Sequence, residues 1–301
     1  MFKLIFLIVI FTILLVYNDF LRYAVFHLKK TIPWGINDLK KYFKYKEWNK
    51  CPDIGKVKMF VSNGTQVFGN GKTLSMVMYA YHIYNKYNDL TVRGRSGELV
   101  KQKVHIISNV KLNGIPYIKW RGAAQFGEID KMKKDNPELF KEDDIFLFLL
   151  DEAGTIFNSR DYKENMNSQF LTTLLTSRHH NIILAMTTQR FIFTDKIFRQ
   201  ICSVVSACSK KWRIVRMVQY DAYQMENCTN LELLKPICKV YWFATDKDYS
   251  RYSTHDLVEN MEKKGAAEFL STEEILNNVG YDGDFQQVNS LKKKFKKAFK
   301  K

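Results

Sequence analysis

Apolar and polar positions fall into blocks of different length along the chain, and each length calls for a different setting. Residues 4–17 are apolar apart from Thr12, a run that needs an apolar surrounding. It is shorter than the span of about twenty residues that a bilayer needs, but it extends across Asn18 and Asp19 to residues 20–26 when those polar groups lie at an interface. No small-x-small cleavage site follows it, so residues 1–26 are expected to form an uncleaved, single-pass membrane anchor. Shorter runs lie further on. Residues 57–61 read as a strand, residues 145–150 (IFLFLL) as a strand buried on both faces of a parallel sheet, and residues 181–189 as another buried strand that ends in polar groups. Between them, residues 73–86 place Leu74, Met76, Val77, Tyr79, Ala80 and Ile83 at helix-compatible spacing. After the apolar residues 198–207, residues 210–216 and 240–243 read as further strands, with a hairpin at the sheet edge. The alternation predicts an α/β fold, a mainly parallel central sheet flanked by helices, preceded by a membrane helix.

Composition sharpens this. A chain of 301 residues with 46% hydrophobic content buries one substantial α/β core. The expected organisation is an anchor at 1–26, a basic juxtamembrane linker at 27–50, the main domain at 51–270, and an acidic linker with a basic amphipathic tail at 271–301. The net charge of +16 points to a polyanionic partner, a nucleic-acid backbone or an anionic membrane. Arg22, Lys29, Lys30, Lys40, Lys41, Lys44 and Lys46 follow the first apolar run and only Lys3 precedes it, which puts the remainder on the cytoplasmic side of the membrane. The five cysteines form no CxxC pair and suit a reducing compartment.

The chemistry begins after the first strand, where Gly69, Asn70, Gly71, Lys72 and Thr73 open a helix. Strand, glycine loop, lysine and helix is the order of a phosphate-binding loop: glycines let the backbone curl round a phosphate, and free N–H groups at the helix start favour the anion. Lys72 would neutralise the β- and γ-oxygens of ATP and Thr73 would ligate Mg²⁺. Gln66 stands where the pattern has its first glycine. The apolar run at 145–150 ends in Asp151 and Glu152. Two acids at the mouth of a buried strand are costly without a purpose. In a P-loop enzyme the first holds the Mg²⁺ shell and the second polarises the attacking water, which places their strand beside the P-loop strand. Gln189, at the end of the third run, is a candidate for contact with the γ-phosphate or the water. Arg178, after the helical stretch 169–177, is a candidate arginine finger for a neighbouring subunit, though its spacing suits a surface arginine equally. The His179-His180 pair lacks further metal-spaced ligands and reads as part of a loop.

Together the P-loop at 69–73, the strand 105–110, the acid pair in Leu150-Asp151-Glu152-Ala153-Gly154, the Ser177-Arg178-His179-His180 turn and the Thr187-Thr188-Gln189 strand end resemble the FtsK/HerA-type branch of P-loop ATPases. Within that branch they resemble the zonular occludens toxin-like assembly proteins of filamentous phages, over residues 57–257. The resemblance implies a membrane-tied cytoplasmic ATPase at the host inner membrane, assembled as a ring-forming homo-oligomer such as a hexamer. It would couple hydrolysis to the assembly, extrusion or packaging of phage DNA and coat or assembly proteins. Arg178 is then the trans-acting finger and Gln189 the sensor. The apolar segment of this chain is N-terminal, as in conjugative coupling ATPases, so a DNA-transfer ATPase of a mobile element is an alternative. A nucleotide-binding membrane scaffold with little turnover is another.

Overall fold

The protein is described here by a computed structural model covering residues 2–64, 68–156, 168–228 and 233–253. Gln66 and the tail at 271–301 lie outside the described residues. The chain divides into two compact units, Met1–Lys50 with Thr91–Val100, and Cys51–Leu90 with the residues from Lys101 onwards.

The first unit is helical. The expected continuous helix over 1–26 is instead two: α1 (Phe2–Tyr17) stops at Asn18, and α2 (Asp19–Phe26) starts with the Asn18 side chain accepting from the Leu21 N–H at 3.0 Å. An asparagine that caps a new helix interrupts the old one, because its side chain competes for the backbone N–H groups. At about 1.5 Å per residue, α1 spans roughly 24 Å, short of a hydrocarbon core of about 30 Å. Among the described residues no helix is long and apolar enough to cross a membrane. The basic segment that follows forms α3 (Leu28–Lys44). Leu28, Ile32, Ile36, Leu39 and Phe43 recur every three or four residues and all are exposed. Arg93 lies over the Tyr45 ring at 4.2 Å and Asn49 donates to the Thr91 carbonyl at 2.8 Å, which ties the end of the helical segment to the hairpin arm.

The second unit is a sheet wrapped on both faces. Its elements are β1 (Val57–Ser62), α4 (Lys72–Tyr87), β4 (Val104–Ser108), β5 (Lys111–Leu112), β6 (Ile118–Lys119), α5 (Ala124–Asp135) and β7 (Ile145–Leu150), while the β2–β3 hairpin (Leu90–Arg93, Leu99–Gln102), which comes between α4 and β4 in the chain, falls mainly in the first unit. Then come β8 (Ile182–Thr187), β9 (Cys202–Lys211), β10 (Ile214–Asp221), β11 (Cys238–Phe243) and β12 (Tyr252–Ser253). The main sheet has eight strands in the order β11-β10-β9-β1-β8-β7-β4-β6, parallel from β9 to β6 and antiparallel through β10 and β11. The expected α/β architecture with a mainly parallel sheet is present.

The run 145–150 shows why. All six side chains of β7 are buried: Phe146, Phe148 and Leu150 pack with Phe126, Ile129 and Met132 of α5, while Ile145, Leu147 and Leu149 pack on the α4 side with Met76, Val77 and Ala80. Phe148 stacks on Phe126 with ring centroids 3.9 Å apart. Burying this one strand contributes on the order of 10 kcal/mol of gross apolar stabilisation. Only a strand with helices on both sides has use for a continuous apolar run.

Two expectations are corrected. The acid-bearing strand does not lie beside the P-loop strand; β8 sits between them, paired in parallel with β1 on one side and β7 on the other. Residues 210–216 are not one strand either, because the chain reverses at Trp212 and Arg213, where Trp212 takes a φ of 55°. Alternation of charged and apolar side chains has the same period on both arms of a hairpin, so it conceals the turn.

At the foot of β1, Gly55 adopts φ +80° and donates to the Ile182 carbonyl at 2.8 Å. A methyl group there would lie 2.7 Å from the Arg178 Cβ. Gly55→Ala therefore combines a left-handed backbone with a clash, and is expected to lower stability to chemical denaturation by about 2 kcal/mol or more. A denaturation midpoint equal to that of the wild type would show that this turn yields freely.

Candidate nucleotide site

The C-terminal ends of β1, β8 and β7 meet at the loop that opens α4. Gly71 caps α4 in the left-handed region at φ 77°, and Gly69 is likewise at φ 73° with open space where a side chain would begin. Those angles cost a residue with a Cβ, and the open side is where a phosphate needs room. Lys72 is buried, with its ammonium donating to the Ser62 hydroxyl at the end of β1 at 3.2 Å. Asn70 is buried in the same loop.

Asp151 is the centre of the arrangement. Its carboxylate accepts the Thr73 hydroxyl at 2.8 and 3.1 Å and the Thr187 hydroxyl at 2.5 Å. Its backbone is clamped by one side chain, since the Asn109 amide donates to the Asp151 carbonyl at 2.9 Å and the Asn109 carbonyl accepts from the Asp151 N–H at 2.8 Å. Burial pushes the Asp151 carboxyl above the ordinary range, opposed by the hydroxyls of Thr187 and Thr73 and the charge of Lys72. Glu152 is also pushed up, by burial and then by the Asp151 charge, with Lys72 pulling down. Its backbone is in the left-handed region at φ 52°, a conformation that costs a non-glycine residue on the order of 1 kcal/mol. The Glu152 N–H donates to the Thr187 hydroxyl at 2.9 Å, so one hydroxyl from the intervening strand fixes both acids.

The donor set suits a hard divalent cation. Thr73 and Asp151 offer only oxygen, and a carboxylate destabilised by burial gains from a nearby positive charge. Among the described residues no group of three or more His, Cys, Asp or Glu could hold a metal ion. His180 instead lies 2.8 Å from the Asp130 carboxylate.

The structure thus brings Gly69, Asn70, Gly71, Lys72, Thr73, Asp151 and Glu152 together. Gln189 lies beside them, with its backbone carbonyl accepting from the Ser62 N–H at 3.2 Å. Arg178 is elsewhere. It is exposed, at the turn before β8, while Thr187 ends that strand. At roughly 3.3 Å per residue the length of β8 alone separates them by about 16 Å, so Arg178 does not share a pocket with Lys72 of its own chain. Asn109 and Thr187 are site residues that motif reading did not single out. The sequence signal was present but faint: a polar residue directly after β4, and a threonine closing an otherwise apolar strand.

Residues 100–245 match the family model "Zonular occludens toxin (Zot)". The match contains the acid pair, Arg178 and Gln189 and begins after the glycine loop, so over these residues the chain is similar to zonular occludens toxin, as the residues suggested. No curated protein matches the sequence. Among solved structures, the chain is similar to the N-terminal domain of zonular occludens toxin from Neisseria meningitidis, at 16% identity and a TM-score of 0.37 over 66% of this chain and 99% of that one. It is also similar to the genome packaging NTPase B204 from Sulfolobus turreted icosahedral virus 2 in complex with ATP-gammaS, at 11% identity and a TM-score of 0.39 over 64% and 99%.

Because the folded-state pKa of Asp151 is raised, its ionised form destabilises the fold; that stability is present below the unfolded value of about 4 and is lost as pH rises through the folded value. Asp151→Asn is expected to raise the denaturation midpoint at pH 7, with the gain shrinking toward about pH 4. A lowered midpoint at pH 7 would mean that the carboxylate is held by more than its hydroxyl donors offset.

Proposed function

We propose that this chain is an ATP hydrolase that drives phage assembly, extrusion or DNA packaging from a ring attached to the host inner membrane. The observation that carries the hydrolase reading is the buried Asp151 carboxylate held directly on the Thr73 hydroxyl of the glycine loop, with Glu152 next in the chain. Lys72 and the N–H groups at the start of α4 would bind and orient the triphosphate. Thr73 and Asp151 would hold Mg²⁺, which when bound offsets charge on the phosphates. Glu152 would accept the proton of the attacking water as its oxygen bonds to the γ-phosphorus and the bond to the β-phosphate oxygen breaks, leaving ADP and phosphate. Its raised pKa makes it a better proton acceptor than an exposed glutamate. Gln189 would orient that water or the γ-phosphate. Arg178 is exposed at the opposite end of β8 from its own pocket, which suits a finger supplied to the neighbouring subunit in a ring.

Attachment to the membrane is supported by the exposed apolar side chains of α1, among them Phe6, Leu7, Ile10, Phe11 and Leu14, and by the α3 stripe with Lys29, Lys30, Lys40, Lys41 and Lys44 around it. An apolar face rimmed by lysines suits an anionic leaflet. The net charge of +16 suits phage DNA as the second polyanion. The zonular occludens toxin-like match favours a phage protein over a conjugative one.

Steady-state turnover and nucleotide binding test the hydrolase. Lys72→Ala is expected to abolish turnover, and Glu152→Gln to lower kcat by about a hundredfold or more while ATP still binds. The acidic limb of kcat/KM should lie above the ordinary glutamate value of about 4.3. A wild type that binds ATP but shows no turnover with or without DNA would leave a nucleotide-binding scaffold instead of a motor. For attachment, the full chain should float with vesicles containing anionic lipid, and removal of residues 1–26 should weaken this at least tenfold; recovery of the full chain in the aqueous fraction without detergent would count against it.

A further inference from the structure

We propose that Lys210, supplied by β9 from far outside the glycine loop, is a second cation for the phosphate oxygens of the bound nucleotide. The inference rests on the nucleotide reading above and adds a residue that no loop motif contains.

The placement follows from sheet register. β9 runs parallel to β1 with Ser62 opposite Cys208, and the Asn63 N–H donates to the Cys208 carbonyl at 2.8 Å. β1 ends there and turns toward the loop, whereas β9 continues to Lys211. Side chains two residues apart in a strand share a face, so Lys210 follows Cys208. The buried Cys208 thiol is within reach of the Lys72 charge, which identifies that face as the one toward the loop. One step further, the Lys210 stem lies against the loop itself: a Cβ placed on Gly71 would be 3.6 Å from the Lys210 Cβ and 3.7 Å from its Cδ. Val215, opposite Lys210 in the hairpin, is 3.7 Å from the same point. The sheet therefore fixes the position of Lys210; it does not depend on a loose loop.

The ammonium has an incomplete environment. Lys210 is half-buried, its Nζ is 5.2 Å from the centre of the Tyr249 ring, and Arg213 Cζ is 5.9 Å from that ring. Among the described residues it has no carboxylate within ion-pair distance. A lysine partly withdrawn from water, resting on a ring face and shared with another cation, gains more from an anion than from what surrounds it. The anion that the neighbouring Gly71, Lys72 and Thr73 are built for is a polyphosphate, and phosphate oxygens are the ligand a point-charge ammonium serves well.

The test is equilibrium binding of ATP-γS to the full chain by calorimetry in detergent, for the wild type, Lys210→Met, Lys210→Arg and Lys72→Ala. Lys210→Met keeps a stem against Gly71 and Tyr249 and removes only the charge. It is expected to weaken binding about tenfold and to flatten the salt dependence of the affinity, while Lys210→Arg stays within about threefold of the wild type. Unchanged affinity in Lys210→Met alongside lost affinity in Lys72→Ala would overturn the role of Lys210 and leave the nucleotide site standing. Equal loss in Lys210→Met and Lys210→Arg, with unchanged salt dependence, would assign the residue to packing and overturn the inference. No binding by the wild type would remove the nucleotide reading and this inference with it.

Discussion

A carboxylate cannot be kept at the closed end of six buried apolar residues unless donors are brought to it, and the sheet is arranged so that they are. Asp151 receives the Thr73 hydroxyl from the start of α4, the Thr187 hydroxyl from β8 and, on its backbone carbonyl, the side-chain amide of Asn109 from the end of β4. Each donor lies in a different element, so the acid holds its place only if β4, β7, β8 and α4 are all in register. The apolar core supplies the stabilisation, and this one charge dictates how the core must be laid out.

The fold was legible wherever a short apolar run was bounded by polar groups. The runs at 57–61, 145–150 and 181–189 became β1, β7 and β8, and the loop from Gly69 to Thr73 opened a helix as strand–glycine–lysine order requires. Legibility failed where the answer lay in long-range pairing. Nothing local says that β8 falls between the P-loop strand and the acid strand, because parallel partners are chosen by crossover topology and both runs are equally apolar. For the same reason the two partners of Asp151 outside the loop, Thr187 and Asn109, looked like ordinary strand ends. The reversal at Trp212 was hidden by a tryptophan in a backbone conformation usually left to glycine or asparagine. The break at Asn18 was local and visible, yet hydrophobicity summed over the segment outweighed one capping side chain.

The strain at Glu152 fits this picture. A left-handed glutamate is retained because the Thr187 hydroxyl holds its N–H and because the acid before it is anchored at three points. The backbone turns sharply at the mouth of the sheet, which takes the second carboxyl away from the donors gathered on the first. Two adjacent acids thereby acquire different surroundings: one buried among hydroxyls, the other half-open and unsettled by its neighbour's charge.

The central position of β8 has a mechanical side. A strand hydrogen-bonded along both edges shifts against its neighbours only by whole repeats of the pleat, two residues or roughly 6.6 Å at a time, since a one-residue slip would turn its apolar face outward. Thr187 is therefore either in place or far out of it. Whatever small adjustments the site makes during a working cycle must come from the glycine loop and the first turn of α4, moving against a wall of strands that has no intermediate settings.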